Sequence, residues 1–285
     1  MGFGDELMLT GIVKKAYERR KRPIALGRHG KNYLDEVLWG EVFENNPKID
    51  REPGAGAIWV DAIKGNRPYI DYYKTLLNTD GSVTYRKDFR PEPGEIFFSD
   101  EEKEKYTQKD FIYIEPNVKG SFSGNKDWGF DKWQEVVKRV PATFIQGRGR
   151  RLDGVEQVDT PSFRDACALL SRASGFVGTD GGLHHAAAAL GKPAVVVWGG
   201  VVGPDVLGYD SHHNIRAKGV RDCGSHKPCG HCKEALEQVT IDEVVDAVKA
   251  LWKSVNAGTG ERIWPRPGEL PSPQAEQGAR IRKTA

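Results

Sequence analysis

The sequence predicts an α/β protein made of parallel sheets wrapped by helices, and three observations carry that expectation. From residue 109 onward, short apolar runs alternate with segments of helical period. Gly178 and the pair Gly181 and Gly182 mark a turn where a strand hands over to a helix. The length of 285 residues suits two ordinary domains better than one.

The elements follow in order. Residues 6–20 place Leu7, Met8, Gly11, Ile12 and Ala16 near one helical face and end in the basic run Arg19 to Arg22 before Pro23, which reads as an amphipathic first helix. Ile24 to Leu26, Ala57 to Val60 and Ile96 to Phe98 read as short strands, the last just before an acidic helix from Asp100 to Tyr106. A first domain is expected over residues 1–108. Then come a strand Phe111 to Ile114, a helix Phe130 to Val140, a strand Thr143 to Ile145 and a helix Ser162 to Ser171. A strand Gly175 to Gly178, a helix Leu183 to Leu190, a strand Ala194 to Trp198 and a helix Ile241 to Trp252 complete a second domain over residues 109–255. Residues 256–285 gather Gly, Pro, Glu, Arg and Gln without apolar periodicity and read as a disordered tail or arm.

Composition excludes several classes. Lys and Arg total 42 against 40 Asp and Glu, a formal charge of +2, so no nucleic-acid partner is expected. No run approaches the ~20 apolar residues of a membrane span, and Asp5 and Glu6 interrupt any signal-peptide core. Four cysteines, three of them crowded between Cys223 and Cys232, do not resemble a secreted disulfide framework. A cytoplasmic protein is the expectation.

Three segments could carry chemistry. Gly178-Thr179-Asp180-Gly181-Gly182-Leu183-His184-His185 joins strand, turn and helix, so that free N–H groups at the helix start favour a phosphate; the plainer reading is a cap at Asp180 and two ordinary polar histidines. Glu115-Pro116-Asn117-Val118, a Gly/Ser loop, and then Asn125-Lys126-Asp127-Trp128 place a lysine after a strand end, where it could pair with a diphosphate or simply be solvated. In Gly2-Phe3-Gly4-Asp5-Glu6-Leu7, Asp5 is either a helix cap or a general base facing a cleft.

Taken in this order, the segments resemble glycosyltransferase family nine, the heptosyltransferase family of lipopolysaccharide synthesis. Gly4-Asp5-Glu6-Leu7 fits its opening Gly-Asp-x-Leu, Lys126-Asp127-Trp128 its Lys-x-Trp, and Asp180 to His185 with Ala188 to Pro193 its Asp-Thr-Gly turn and helix. The resemblance covers most of residues 109–250 and, more weakly, residues 2–16. Three departures stand out: Gly181 replaces the family's Thr; the strand that precedes Gly-Asp-x-Leu in the family has no counterpart, so either the start is truncated or the first sheet is rebuilt; and the first domain is compact, so it is expected to be reduced.

What the resemblance implies is two Rossmann-like domains of the glycosyltransferase B type. The second would bind a nucleotide-sugar donor through Asn117, Lys126, Asp180, Gly181, Gly182 and His185. The first would bind a glycan or glycolipid acceptor, with Asp5 as catalytic base. The implied activity is inverting and metal-independent, with no cofactor. It would move a sugar, most plausibly heptose from ADP-heptose, to a bacterial surface glycan such as lipopolysaccharide core. The alternative is a non-catalytic nucleotide-sugar or glycan binding module. Cys223, Cys229 and Cys232 with His226 form a weaker candidate for zinc or for a disulfide staple. The basic helix end from Lys14 to Arg22 could meet an anionic membrane surface or simply be solvated.

Overall fold

Six parallel strands form the larger sheet, in the order β12-β11-β10-β7-β8-β9. They are β7 (Ile112–Glu115), β8 (Phe144–Gln146), β9 (Glu156–Gln157), β10 (Gly175–Thr179), β11 (Ala194–Val197) and β12 (His212–Ile215). The three central strands read as continuous apolar runs because helices cover both faces. The computed structural model describes residues 2–29, 35–51, 58–60, 74–77, 82–119, 124–225 and 227–257.

A smaller sheet gathers around β1 (Ile24–His29), which pairs antiparallel with β2 (Asp35–Val37) and parallel with β3 (Ile49–Asp50) and β4 (Ile58–Val60). A hairpin of β5 (Lys74–Leu77) and β6 (Val83–Tyr85) stands apart from both sheets. The helices are α1 (Phe3–Arg20), α2 (Asp100–Glu104), α3 (Phe130–Arg139), α4 (Phe163–Arg172), α5 (Gly182–Ala189), α6 (Pro204–Leu207), α7 (Gly230–Glu237) and α8 (Ile241–Ala257).

Two apolar clusters divide the core. On one face of the larger sheet, α3 and α8 bury Trp133, Val136, Val244, Val248 and Leu251 against Ile112, Ile114, Val177 and Val195. On the other, a single cluster runs from Leu7, Leu9, Leu26 and Phe43 through Phe111 and Leu169 to Ala187 and Trp198. Its centre is α1, which buries Leu7, Met8, Leu9, Val13 and Ala16. Five successive residues, Leu7 to Gly11, are buried, so this part of α1 is covered on all sides and shows little one-sided periodicity, whereas Lys15 and Glu18 to Arg20 are exposed. The run of alanines in α5 lets the two helices approach closely.

The sequence-predicted elements are present with one exception. Ile96 to Phe98 is not a strand: the Phe97 carbonyl accepts from Arg164 Nη2 at 2.6 Å instead of from a neighbouring strand. That guanidinium is buried and also grips Glu102 through both carboxylate oxygens, at 2.6 and 2.7 Å, and donates to the Glu41 carbonyl at 2.9 Å. Buried donors of this strength redirect a short apolar segment away from ladder pairing. Of the basic run Lys14 to Arg22, Lys14 and Lys15 pair with Glu95 and Glu92. The proposed tail lies outside the described residues beyond Ala257, and no helix among the described residues is long and apolar enough to cross a membrane.

Candidate active site

The chain leaves β7 toward β8 and β9 on one side and returns through β10, β11 and β12 on the other, so the strand order reverses between β7 and β10. In open α/β sheets, ligands bind beyond the carboxyl ends of the strands at this reversal. A cavity of about 440 Å³ opens there. Glu115, Asn117 and Val118 line it from the end of β7, Thr179, Asp180, Gly181 and Gly182 from the end of β10, and Gly2, Phe3 and Gly4 from the start of α1.

The turn after β10 is built around α5. Gly181 precedes the helix, and its N–H donates to His184 Nδ1 at 2.9 Å. With Nδ1 accepting, His184 carries its proton on Nε2, which faces the Leu207 carbonyl at 3.3 Å. Burial pushes the His184 imidazole down to about 3, so it stays neutral. By helix geometry the remaining N–H groups of the first turn of α5 have no intrahelical partner, and Gly181, Gly182 and Leu183 line the cavity. Gly182 is confined by the Phe163 ring, which a Cβ would meet at 2.9 Å, whereas a Cβ on Gly181 would find nothing within 4 Å. Phe163 in turn stacks on Phe3, centroids 4.3 Å apart and nearly parallel, closing one side of the cavity.

Opposite charges meet at Asp180, which lines the cavity, and Lys126, which does not. Lys126 Nζ pairs with Asp180 Oδ2, the Asp180 side chain being 3% exposed and that of Lys126 20%. Glu115 accepts from the Asn117 N–H at 2.8 Å, and burial pushes its carboxyl up to about 7. The Asn117 side chain clasps the loop after β8, donating to the Arg150 carbonyl at 3.3 Å and accepting from its N–H at 3.0 Å.

Asp5 sits in the first turn of α1, where its Oδ2 accepts from the Gly2 N–H at 2.9 Å. Burial first, then the charges of Asp180, Asp222, Cys223 and Asp5, raise the Tyr85 hydroxyl pKa.

The structure thus brings Asn117, Asp180, Gly181 and Gly182 into one cavity wall, with Lys126 immediately behind Asp180. His185 does not reach the cavity. It is 4% exposed, its Nδ1 is 2.8 Å from the Tyr209 hydroxyl, and its ring lies against Gly4 of α1. Its place in the sequence, one residue beyond His184, rotates it by about 100° onto the side of α5 that packs against α1. Cys223, Cys229 and Cys232 come together as free thiols, while His226 lies outside the described residues and the histidine beside them is His231. Sequence reasoning gave Glu115 no role, although it lines the cavity and is readable as the polar last residue of an otherwise apolar strand.

A model of glycosyltransferase family 9 (heptosyltransferase) matches residues 160–236, which run from the approach to α4 through β12 and into α7. No curated protein matches the chain. Among solved structures, the family 9 glycosyl transferase from Veillonella parvula is similar with a TM-score of 0.57 and 14% identity, covering 89% of this chain and 95% of that one. The ADP-heptose lipopolysaccharide heptosyltransferase II of E. coli is similar with a TM-score of 0.43 and 18% identity over 57% of this chain and 54% of that one. The E. coli heptosyltransferase WaaC, solved with ADP, gives 0.40 and 19% over 50% and 44%. The chain therefore spans about half the length of these E. coli enzymes. The segment that the family model matches holds the Asp180 to His185 turn at the sheet reversal, so this part of the chain is similar to glycosyltransferase family 9 and the fold is of the glycosyltransferase B type.

Proposed function

We propose that the chain is an inverting glycosyltransferase that takes a nucleotide sugar, ADP-heptose in the first instance, and passes its sugar to a hydroxyl of a surface glycan such as lipopolysaccharide core. The observation that carries this reading is the cavity at the reversal between β7 and β10, walled by the first turn of α5. A diphosphate seated there faces backbone N–H groups and the positive end of a helix. The nucleoside extends toward Glu115 and Asn117.

In the transfer, a carboxylate takes the acceptor proton as the acceptor oxygen bonds to the anomeric carbon from the opposite face. The bond from that carbon to the diphosphate oxygen breaks, and the growing negative charge falls on the diphosphate. Preorganised donors aimed at that charge stabilise it in a water-poor site, which makes a metal ion at the phosphates unnecessary. Asp5 is the carboxylate expected to act as base, a reading supported by its following Gly2 to Gly4, which line the cavity. The exposed end of α1 from Arg19 to Arg22 is the surface suited to an anionic glycolipid or membrane headgroup.

A second reading, a binding module without turnover, is favoured by one observation: Asp5 is already engaged in the first turn of α1, accepting from the N–H of the cap residue Gly2. Incubation with ADP-heptose and with other nucleotide sugars, following release of the nucleoside diphosphate in the presence of lipopolysaccharide core acceptors, separates the readings. Release that depends on acceptor supports transfer. Calorimetric donor binding without release supports the module, and neither binding nor release removes both.

A further inference from the structure

Beyond the cleft, one cluster of side chains has the composition of a metal site. Cys223 lies in the connection after β12, Cys229 caps α7, and His231 and Cys232 follow in the first turn of that helix. One ligand atom from each of the four lies within 4.8 Å of all the others. Cys223 and Cys232 hold their sulfurs 3.4 Å apart and are not bonded to each other. Two thiolates on one zinc, each at about 2.3 Å in a tetrahedron, stand about 3.8 Å apart, so ligation needs only a small adjustment. Cys232 is buried, Cys223 and Cys229 are half-buried and His231 is exposed, which leaves an entry path from solvent.

The backbone holds these groups in place without help from an ion. The Cys223 N–H donates to the Gly200 carbonyl at 2.8 Å and the Gly224 N–H to the Val201 carbonyl at 2.9 Å. Gly224 takes φ +63°, and a Cβ there would stand 1.9 Å from the Val83 carbonyl oxygen, so only glycine permits the β6 hairpin to lock onto this loop. Gly200 leaves room for the His231 ring, whose atoms would be 2.6 Å from a Cβ.

We propose that Cys223, Cys229, His231 and Cys232 form a tetrahedral metal centre that takes zinc. Three sulfurs and one imidazole complete a four-ligand shell with no open position, so the centre is structural rather than catalytic. Its effect reaches the cleft through Asn125. That side chain donates to the Ser225 carbonyl at 2.9 Å and to the Lys227 carbonyl at 2.5 Å, and accepts from the Cys229 N–H at 3.0 Å. The next residue is Lys126, the partner of Asp180. Zinc therefore pins the loop that presents Lys126; only this last consequence rests on the donor-site reading.

The test is elemental analysis of the full-length protein purified without chelator. One zinc per chain is expected, retained in Cys167→Ala, because Cys167 lies apart in the core, and lost in Cys229→Ser. Stripping the wild type with a chelator should lower its melting temperature, and zinc should restore it. Cobalt added to the stripped protein should give the thiolate charge-transfer and visible bands of a tetrahedral sulfur-rich site. A protein that takes up neither ion under reducing conditions overturns the site, as does a Cys223–Cys232 disulfide found by mass spectrometry in freshly isolated protein. One equivalent of iron overturns the choice of zinc. Because metal content is read without any substrate, a failed transfer assay leaves these outcomes unaffected.

Discussion

Lys126 donates to the Asp180 carboxylate across the reversal between β7 and β10, so the loop after one strand and the turn after the other are held by a single ion pair. Asp180 is the more deeply buried partner. Removing the lysine leaves that carboxylate in the interior without a counter-charge, which costs up to about 3–5 kcal/mol. Lys126→Ala should therefore lower stability in urea titrations more than Lys126→Ala combined with Asp180→Asn. Asp180→Asn alone frees the ammonium and should tighten binding of a nucleoside diphosphate, whereas Lys126→Ala should weaken it by about 1.5–3 kcal/mol. Isothermal titration with ADP checks both signs, and equal affinities in the two variants would remove Lys126 from the diphosphate site.

Gly181 and Gly182 should respond oppositely to enlargement. The Gly181 φ of 178° is extended backbone open to any residue, and its Cβ direction is empty. Gly181→Thr should fold with stability within about 0.5 kcal/mol of wild type. It places a hydroxyl at the cavity wall. Gly182→Ala drives a methyl into Phe163 and disturbs the stack with Phe3, at a cost of about 1–3 kcal/mol. Urea midpoints measured side by side decide the point.

Asp5→Ala removes the carboxylate that accepts from Gly2, a loss of about 0.5–1.5 kcal/mol of stability. As general base, its removal should also cut turnover by about 10²–10⁴-fold while leaving donor affinity unchanged. Unaltered turnover would reduce Asp5 to a cap.

The pH dependence of stability should show two opposed limbs. Glu115 is pushed up to about 7 from 4.5, so the folded state holds an extra proton between those values and stability declines as pH rises through them. His184 and His212 are pushed down to about 3 from 6.5, so stability present above 6.5 is lost on acidification toward 3. Glu115→Gln should flatten the first limb. His212→Leu should weaken the second without harm at neutral pH, because both His212 ring nitrogens lack a hydrogen-bond partner among the described residues. Melting temperatures from pH 4 to 8 test each variant.

The second half of the chain was the more legible in sequence. Its central strands β7, β10 and β11 are buried on both faces and read as apolar runs, and Asp180-Gly181-Gly182 marks its own turn. Other elements left weaker traces. His212-His213-Asn214-Ile215 becomes β12 only by pairing with β11, and Val83-Thr84-Tyr85 is a strand only because β5 and Gly224 receive it. Long-range pairing overrides local propensity in both. The apolar run Ile96 to Phe98 was misleading for a related reason, since its hydrogen bonds go to a distant arginine. At the site, the backbone turn was readable and the side-chain directions were not: His184 and His185 are adjacent in sequence, yet one braces the turn and the other packs beneath α1.

Because α1 supplies the middle of a cluster that includes both Leu26 and Trp198, neither sheet has a complete interior without it. The Arg164 guanidinium adds a second tie, from α4 to α2 and to the turn at Glu41. Heating should consequently melt the described chain in one cooperative step, with calorimetric and van't Hoff enthalpies in agreement, where two independently cored lobes would give two transitions. An amino-terminal deletion through Arg20 would strip the shared layer from both sheets at once, so the half that holds the larger sheet would not survive it as a free-standing unit.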